Sequence, residues 1–375
     1  MAAGYQIYVS FSGESGAKIE NVGALSATGE YLGEVLSGGG PYDELRGLAV
    51  DSAGRLYVAN AYKKGSSVDV FSATVNADGF SRDFLGTLIT PKSTNALLHP
   101  YGVAFDGDNL FVSSQDTNVV SSYAISGKKM PKATTQPVAP YLLKLNKKGS
   151  YYDGTFVASA EPVPIGKKKP VTPPAVDPKD GGLSMEGFDP QTVEQEPHAA
   201  DASDAALPAK QQARHSVRGI AFAGKRLYVA DQAKDRVGIY GHKQGTFHGW
   251  INATADTSAN PNTMDKPVGI AVNPANGNIY VGSPKNEAIF AYDPATSVLS
   301  LVISSATSST TGDLPSAAEA LQDLSGLSFT PDGGTLIFGS RKQMQLYQLN
   351  LSTNELAPFG EQLKDAPECV LVVSL

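Results

Sequence analysis

The sequence has a single cysteine, Cys369, in 375 residues. One cysteine excludes an internal disulfide framework and any zinc site built from several cysteines. No run approaches the ~18 consecutive apolar residues that a membrane-spanning helix needs, so we expect a soluble chain without a membrane span. The N-terminal segment lacks the basic start and the apolar stretch of a signal peptide. The compartment stays open between the cytoplasm and export with a signal absent from this chain.

An excess of basic residues is also missing. The chain has 30 Lys and Arg against 37 Asp and Glu, a formal net charge of −7. Affinity for nucleic acid depends on Lys and Arg that neutralise phosphates, so we expect no nucleic-acid partner. The motifs H-E-x-x-H, C-x-x-C, G-x-S-x-G and G-x-G-x-x-G are absent as well. The sequence therefore predicts none of the catalytic sites that these motifs build.

Glycine, by contrast, is abundant. The 38 glycines are about a tenth of the chain, against a usual ~7 per cent, which favours turn-rich all-β structure. One phrase occurs five times: LRGLAVDSAGRLYVAN from Leu45, PYGVAFDGDNLFVSS from Pro100, VRGIAFAGKRLYVAD from Val217, PVGIAVNPANGNIYVGS from Pro267 and LSGLSFTPDGGTLIFGS from Leu324. Each copy has two short apolar strands joined by Asp, Asn, Gly or Pro, the signature of a β-hairpin. A third strand with an aromatic residue follows each copy, and a weaker fourth run follows most of them.

The spacing of these copies predicts a propeller. Gly47 and Gly102 are 55 residues apart, and Gly219 and Gly269 are 50 apart, close to the ~40–50 residues of one four-stranded blade. The C-terminal PECVLVVSL predicts the inner strand of a sixth blade, whose other three strands come from the N-terminus. The predicted fold is an all-β, six-bladed β-propeller of four-stranded blades, closed by a blade that both chain ends share.

One interval breaks the repeat. Gly102 and Gly219 are 117 residues apart, more than twice the usual spacing. We therefore predict a single domain over residues 1–375, with an insertion at 126–214 within the third blade. GTFVAS, from Gly154, is the best candidate for the missing outer strand of that blade. The insertion is interpreted as a solvated loop, with a lid over one face as the alternative.

The phrases P-x-G-[IV]-A-[VF] and L-Y-V-A-[ND] resemble the NHL and YVTN repeat families over roughly three-quarters of the chain. The resemblance implies a propeller but no single function, because such propellers include enzymes, ligand binders and protein-interaction scaffolds. The chain is also distantly similar to the six-bladed calcium-dependent lactonases, such as gluconolactonase and senescence marker protein. Those propellers hold a divalent cation with Glu, Asn and Asp side chains around the ring.

The repeat also predicts which side chains surround the central channel at one face. The residues that precede the repeat glycine, called the ring positions below, are Arg46, Tyr101, Arg218, Val268, Ser325 and Glu368. Asn60 and Asp231 end second strands at the same face, and His99 and Lys266 precede inner strands there. Cys369 takes a position that is glycine in the other copies, and we predict a small buried residue.

These positions argue against a metal. Glu368 matches the acidic ligand of the lactonase pattern, and Asn60 and Asp231 could add oxygens, but calcium needs six to eight hard oxygen ligands. Arg46 and Arg218 are always charged and would repel the cation. We therefore predict no cofactor, with a divalent cation such as calcium as the lesser alternative.

Three functions stay open. The first is binding of a small anionic or polar ligand by Arg46, Arg218, Tyr101, Asn60, Asp231 and Lys266, since guanidinium groups suit carboxylate, sulfate and phosphate. The second is a hydrolase or lyase with Glu368 or His99 as general base. The third is a scaffold for a protein partner. An ion pair between Arg46 and Glu368 that only closes the channel is the alternative to any ligand site.

Overall fold

The computed structural model of the chain describes residues 4–11, 13, 17–62, 65–90, 97, 99–115, 119–126, 132–135, 143–145, 151–156, 216–241, 247–251, 263–306 and 316–375. Strands dominate this part of the chain. Its helical elements are one short helix, α1 (Ala317–Ala320), and one 3-10 turn (Gln232–Lys234). Among the described residues no helix is long and apolar enough to cross a membrane.

The first twelve strands, in chain order, are β1 (Tyr5–Phe11), β2 (Val22–Ser26), β3 (Tyr31–Glu34), β4 (Leu36–Ser37), β5 (Leu45–Val50), β6 (Leu56–Asn60), β7 (Ser67–Phe71), β8 (Arg82–Ile89), β9 (Pro100–Asp106), β10 (Asn109–Ser114), β11 (Val119–Ser126) and β12 (Lys132–Thr135). The next ten are β13 (Leu143–Leu145), β14 (Tyr151–Phe156), β15 (Val217–Ala223), β16 (Arg226–Asp231), β17 (Arg236–Gly241), β18 (Phe247–Ile251), β19 (Ile270–Val272), β20 (Ile279–Ser283), β21 (Ala288–Asp293) and β22 (Val298–Ser304). The last five are β23 (Leu324–Phe329), β24 (Thr335–Ser340), β25 (Gln345–Asn350), β26 (Leu356–Phe359) and β27 (Pro367–Ser374).

Six sheets stand in a ring and form a six-bladed β-propeller. Blade 1 has the strand order β27-β1-β2-β3, and blades 2 to 6 begin with the inner strands β5, β9, β15, β19 and β23. In blade 1 the C-terminal strand β27 pairs with β1, from Tyr5 opposite Ser374 to Phe11 opposite Pro367. The predicted fold is therefore confirmed, including the closing blade that both ends of the chain share.

The outer strand of blade 3 differs from the prediction. It is β12, which pairs with β11 from Tyr123 opposite Thr135 to Ser126 opposite Lys132. The segment around Gly154 instead lies in β14, which pairs with β13 in a separate two-stranded sheet, so its assignment to the blade is wrong. KATT, residues 132–135, comes sooner after β11 than GTFVAS does, and neighbouring strands are usually joined by short connections. This polar sequence has too little apolar alternation to be recognised as a strand. The remaining residues of the predicted insertion lie outside the described part.

Blade 2 has an unexpected fifth strand. The sequence predicts one strand over EYLGEVL, but the chain leaves blade 1 after β3, and β4 runs parallel to β8 of blade 2. The chain passes from blade 1 to blade 2 at Val35. Its N–H donates to the carbonyl of Val22 in blade 1, and its carbonyl accepts from the N–H of Arg82 in blade 2, both at 2.7 Å. The two blades are thus joined by backbone hydrogen bonds.

The core lies between the blades, because each strand alternates its side chains between two blade faces. A recurring contact joins an aromatic ring on one second strand to a ring on the inner strand of the next blade. The pairs are Tyr57 with Phe105, Phe111 with Phe222 and Tyr280 with Phe329, with centroids 4.6–4.8 Å apart and tilted to edge-on rings. Such geometry is favourable for aromatic pairs beyond the area they bury.

Close approach of the inner strands explains the repeat glycines. A Cβ at Gly219 would overlap the carbonyl oxygen of Val268, and one at Gly269 would overlap the carbonyl oxygen of Ser325. Glycine therefore allows neighbouring inner strands to meet by their backbones around the axis. Cys369 takes the sixth position. The sequence predicts a buried residue there, and the structure shows it half-buried, because it lies in the wall of the central cavity.

A buried serine closes the ring between blades 1 and 2. The Ser10 hydroxyl donates to the carbonyl of Arg46 at 2.6 Å and accepts from the N–H of Cys369 at 3.1 Å. Ser113 makes the same bridge between blades 3 and 4, from Gly102 to Arg218. The hydroxyl thus satisfies backbone groups that the ring hides from water.

Ser10→Ala is expected to lower the free energy of unfolding by about 2 kcal/mol, because a donor and an acceptor lose their partner in a buried place. Urea denaturation of the variant measures the loss. Ser52→Ala, at an exposed turn, is the matched control and should change stability by less than about 0.5 kcal/mol. Equal stability of the two variants would contradict the bridging role.

Candidate functional site

A cavity of about 270 Å³ lies on the axis of the ring. Residues from the inner strands of all six blades line it. The inner strands start at the same end of the cavity, so their first residues come together there. We call this the charged end, and the opposite end, at the β-hairpins, the hairpin end.

The ring positions meet at the charged end. Their members in the cavity wall are Arg46, Tyr101, Val268, Ser325 and Glu368. Arg218 stands outside this wall, and its guanidinium lies 5.1 Å from the ring centroid of Tyr101. The repeat thus places these side chains around one axis because every blade has the same strand register.

Two guanidiniums lie close to the aromatic ring of Tyr101. The guanidinium of Arg46 is 5.4 Å from the centroid of its ring, and that of Arg218 is 5.1 Å away. Burial and the nearby charge of Glu368 raise the pKa of the phenol to about 12, although the neighbouring arginines oppose this. The hydroxyl is therefore a neutral hydrogen-bond donor at physiological pH.

Alternating charges connect the residues around the charged end. Arg46 forms ion pairs with Glu44 of its own blade and with Glu368 of blade 1. Glu368 also contacts Arg341 of blade 6, with Nε to Oε1 at 2.9 Å. On the other side, Nε2 of His99 in blade 3 lies 3.0 Å from Oε1 of Glu44. This charge network, from His99 through Glu44, Arg46 and Glu368 to Arg341, crosses four consecutive blades.

The charge network is buried, and its groups keep one another ionised. Arg46 and Glu368 are 6% and 1% exposed. Burial favours the neutral form of Glu44, but the contact with His99 and the charge of Arg46 outweigh it and lower the pKa of Glu44 to about 2. For Arg46, burial is outweighed by Glu368 and Glu44, which raise its pKa. Both groups are therefore ionised at neutral pH.

Both predicted general bases have charged or titratable side chains as neighbours. The carboxylate of Glu368 contacts the guanidiniums of Arg46 and Arg341. His99, the other predicted base, faces Glu44. Both residues stay predictions as catalytic groups. Within the described residues no group of three or more His, Cys, Asp or Glu is placed to hold a metal ion.

Three other predicted ligand residues are not in the cavity wall. Asn60 donates to the carbonyl of Pro41 at 3.0 Å and accepts from the N–H of Tyr62 at 3.2 Å. Asp231 accepts from the N–H of Ser216 at 3.2 Å. Lys266 has φ 56° and is half-buried. The contacts of Asn60 and Asp231 order the ends of their strands.

Sequence reasoning missed two partners of the site. Arg341, which contacts Glu368, directly follows Ser340 at the end of β24. Gln232 directly follows Asp231 at the end of β16 and accepts from Nε of Arg218 at 2.9 Å. The signal that could have found both is the residue one step beyond each second strand.

No protein-family model and no curated protein matches the sequence. Solved structures match almost its full length. A proposed 6-phosphogluconolactonase from Bacteroides fragilis has a TM-score of 0.55 and 14% identity, covering 100% of this chain and 99% of its own. One from Bacteroides uniformis has a TM-score of 0.54 and 16% identity, covering 99% and 100%. A chain in the nidogen/laminin complex has a TM-score of 0.55 and 11% identity, covering 99% and 98%. At such identities the likeness establishes the propeller fold alone.

Proposed function

We propose that this propeller binds a small anionic ligand at the charged end of its central cavity. The observation that carries the proposal is Tyr101, whose ring lies between the guanidiniums of Arg46 and Arg218 and lines the cavity. A neutral phenol beside cations is a strong donor to an anion, because charge-assisted hydrogen bonds are about twice as strong as neutral ones.

The roles of the predicted residues differ within this site. Arg46 already has two carboxylate partners. Its main effect is therefore to hold Tyr101 and the other residues of the charged end in place. Tyr101 donates its hydroxyl to the ligand, and the guanidinium of Arg218, 5.1 Å from the centroid of its ring, supports it. A carboxylate is the simplest group that such a donor and its neighbouring guanidiniums recognise.

A hydrolase or lyase that uses the same cavity is the second candidate. It is favoured by the two structural neighbours described as proposed 6-phosphogluconolactonases. Tyr101 and the arginines would then stabilise a developing oxyanion, with His99 or Glu368 as the base. Turnover of simple lactones by the wild-type chain, absent from a Tyr101→Phe variant, would favour this candidate over binding alone.

A protein-interaction scaffold is less well supported. The exposed large apolar side chains of the described residues are Tyr31, Val298 and Leu375, which lie on different blades or at the chain end. An interface for a protein partner usually has a contiguous apolar patch.

Binding is tested by calorimetry with gluconate, 6-phosphogluconate, citrate, hexanoate and inorganic phosphate. For the anion that binds, Tyr101→Phe is expected to raise Kd about 10- to 100-fold, as loss of a hydrogen bond to a charged group predicts. The variant keeps the aromatic ring between the guanidiniums, so the fold should be unchanged.

Arg226→Ala is the matched control, because Arg226 begins β16 at the hairpin end of the blade that carries Arg218. Arg218→Ala should weaken binding, whereas Arg226→Ala, with the same loss of charge, should not. Equal Kd values for wild type and Tyr101→Phe would overturn the proposed site.

A further inference from the structure

The central cavity changes in polarity along its length. At the charged end its wall has the side chains of Arg46, Tyr101, Ser325 and Glu368. Beyond them the lining residues are glycines and mainly apolar residues, among them the half-buried Ala104, Phe222, Ile270, Val272 and Leu371. Ser328 is the polar exception, and its hydroxyl accepts from the N–H of Val372 at 3.0 Å.

The exposure of the lining residues differs between the two ends of the cavity: buried groups predominate at the charged end, and half-buried apolar groups at the hairpin end. Arg46, Ser325 and Glu368 are all less than a tenth exposed, whereas Tyr101 beside them is half-buried. The apolar residues of the wall at the hairpin end, Ala104, Phe222, Val272 and Leu371, are half-buried. The hairpin end of the cavity therefore has apolar side chains that solvent can reach.

The size of the cavity suits an organic molecule. Its volume of about 270 Å³ is roughly twenty times the ~10–15 Å³ that one water needs. Desolvation of an apolar body along such a wall is favourable. A fully hydroxylated sugar acid would lose hydrogen bonds to water there and find few side-chain partners.

We propose that the ligand is an amphipathic monocarboxylate, with an aliphatic or aryl body, which enters at the hairpin end and places its carboxylate beside Tyr101. The inference rests on the proposed function and adds the class of the ligand and its route. A single negative charge fits better than a polyanion, because Glu44 and Glu368 already contact Arg46.

A series of ligands with equal charge tests the apolar body. Affinity should rise about fourfold per added methylene from butanoate to octanoate, as burial of a CH₂ group predicts. Hexanoate should bind more tightly than gluconate, which has the same number of carbons and the same charge but five hydroxyl groups. Hexan-1-ol, which lacks the carboxylate, should bind more weakly than hexanoate.

The single cysteine reports where the ligand lies. Cys369 is in the cavity wall, so bound octanoate should protect it from methyl methanethiosulfonate, followed by intact mass at pH 9. Burial raises the pKa of this thiol to about 11, so labelling is slow enough to compare rates. Butanoate at the same occupancy should protect it less.

The route is tested at the hairpin end. Val272→Trp should slow association of octanoate and labelling of Cys369, since it narrows the open end. Val298→Trp places the same residue on the exposed surface of the same blade and should leave both rates unchanged.

The outcomes separate the two proposals. Tyr101-dependent binding of gluconate or 6-phosphogluconate without binding of hexanoate would overturn the ligand class and leave the proposed function intact. Binding of octanoate without protection of Cys369 would overturn the placement along the axis. Absence of binding by every anion would overturn the proposed function as well.

Discussion

Glu368→Gln is expected to lower the free energy of unfolding by about 3–5 kcal/mol, the usual cost of breaking a buried ion pair by removing one partner. Glu368 contacts Arg46 and Arg341 from two different blades and is 1% exposed. The amide keeps the shape of the side chain, but it leaves two guanidiniums without the charge between them. Urea denaturation measures the change.

Glu355→Gln is the control for this prediction, because Glu355 is exposed on the loop before β26 and should change stability by less than about 0.5 kcal/mol. The comparison also bears on the enzyme alternative. If Glu368→Gln were as stable as wild type but had no turnover, that result would support Glu368 as the general base. A strongly destabilised variant shows that the carboxylate holds blades 1, 2 and 6 together.

Ring closure thus has two components at the same place. The backbone component is the pairing of β27 with β1, with Ser10 bridging from blade 1 to blade 2. The electrostatic component is the charge network, in which Glu368 joins the C-terminal strand to blades 2 and 6. The ion pair between Arg46 and Glu368, which the sequence analysis considered as a simple closure of the channel, therefore has a structural role next to the proposed ligand site.

The fold could be predicted because its signals are local and repeated. Alternating apolar residues and turn residues recur in each blade, and the repeat glycines mark the close approach that the structure shows at Gly219 and Gly269. The same repeat was sufficient to place Arg46, Tyr101 and Glu368 around one axis. A local pattern could not place β12, whose sequence KATT has little apolar character.

The contacts of the site were harder to predict, since they depend on side chains that the repeat does not constrain. Arg341 and Gln232 lie one residue beyond their strands, where no periodic pattern applies. Asn60 stands at a predicted position, but its amide contacts a neighbouring loop at Pro41. Strand register fixes where a residue is, while the competition among nearby polar groups decides what it binds.

Stability in acid should depend on Glu44. Its pKa in the folded chain is about 2, well below its value of ~4.3 in an unfolded chain. A carboxyl with a lowered folded pKa adds stability above the unfolded value and loses it as the pH falls toward the folded one. One pKa unit corresponds to about 1.4 kcal/mol, so the full contribution is on the order of 3 kcal/mol.

Comparison of wild type with Glu44→Gln isolates this contribution. At pH 5 the wild-type chain should be more stable than the variant, and the difference should shrink by about 2 kcal/mol between pH 5 and pH 3. Glu355→Gln, at an exposed position, is the control. A difference between wild type and Glu44→Gln that stays constant down to pH 3 would show that the contacts with His99 and Arg46 do not hold Glu44 ionised.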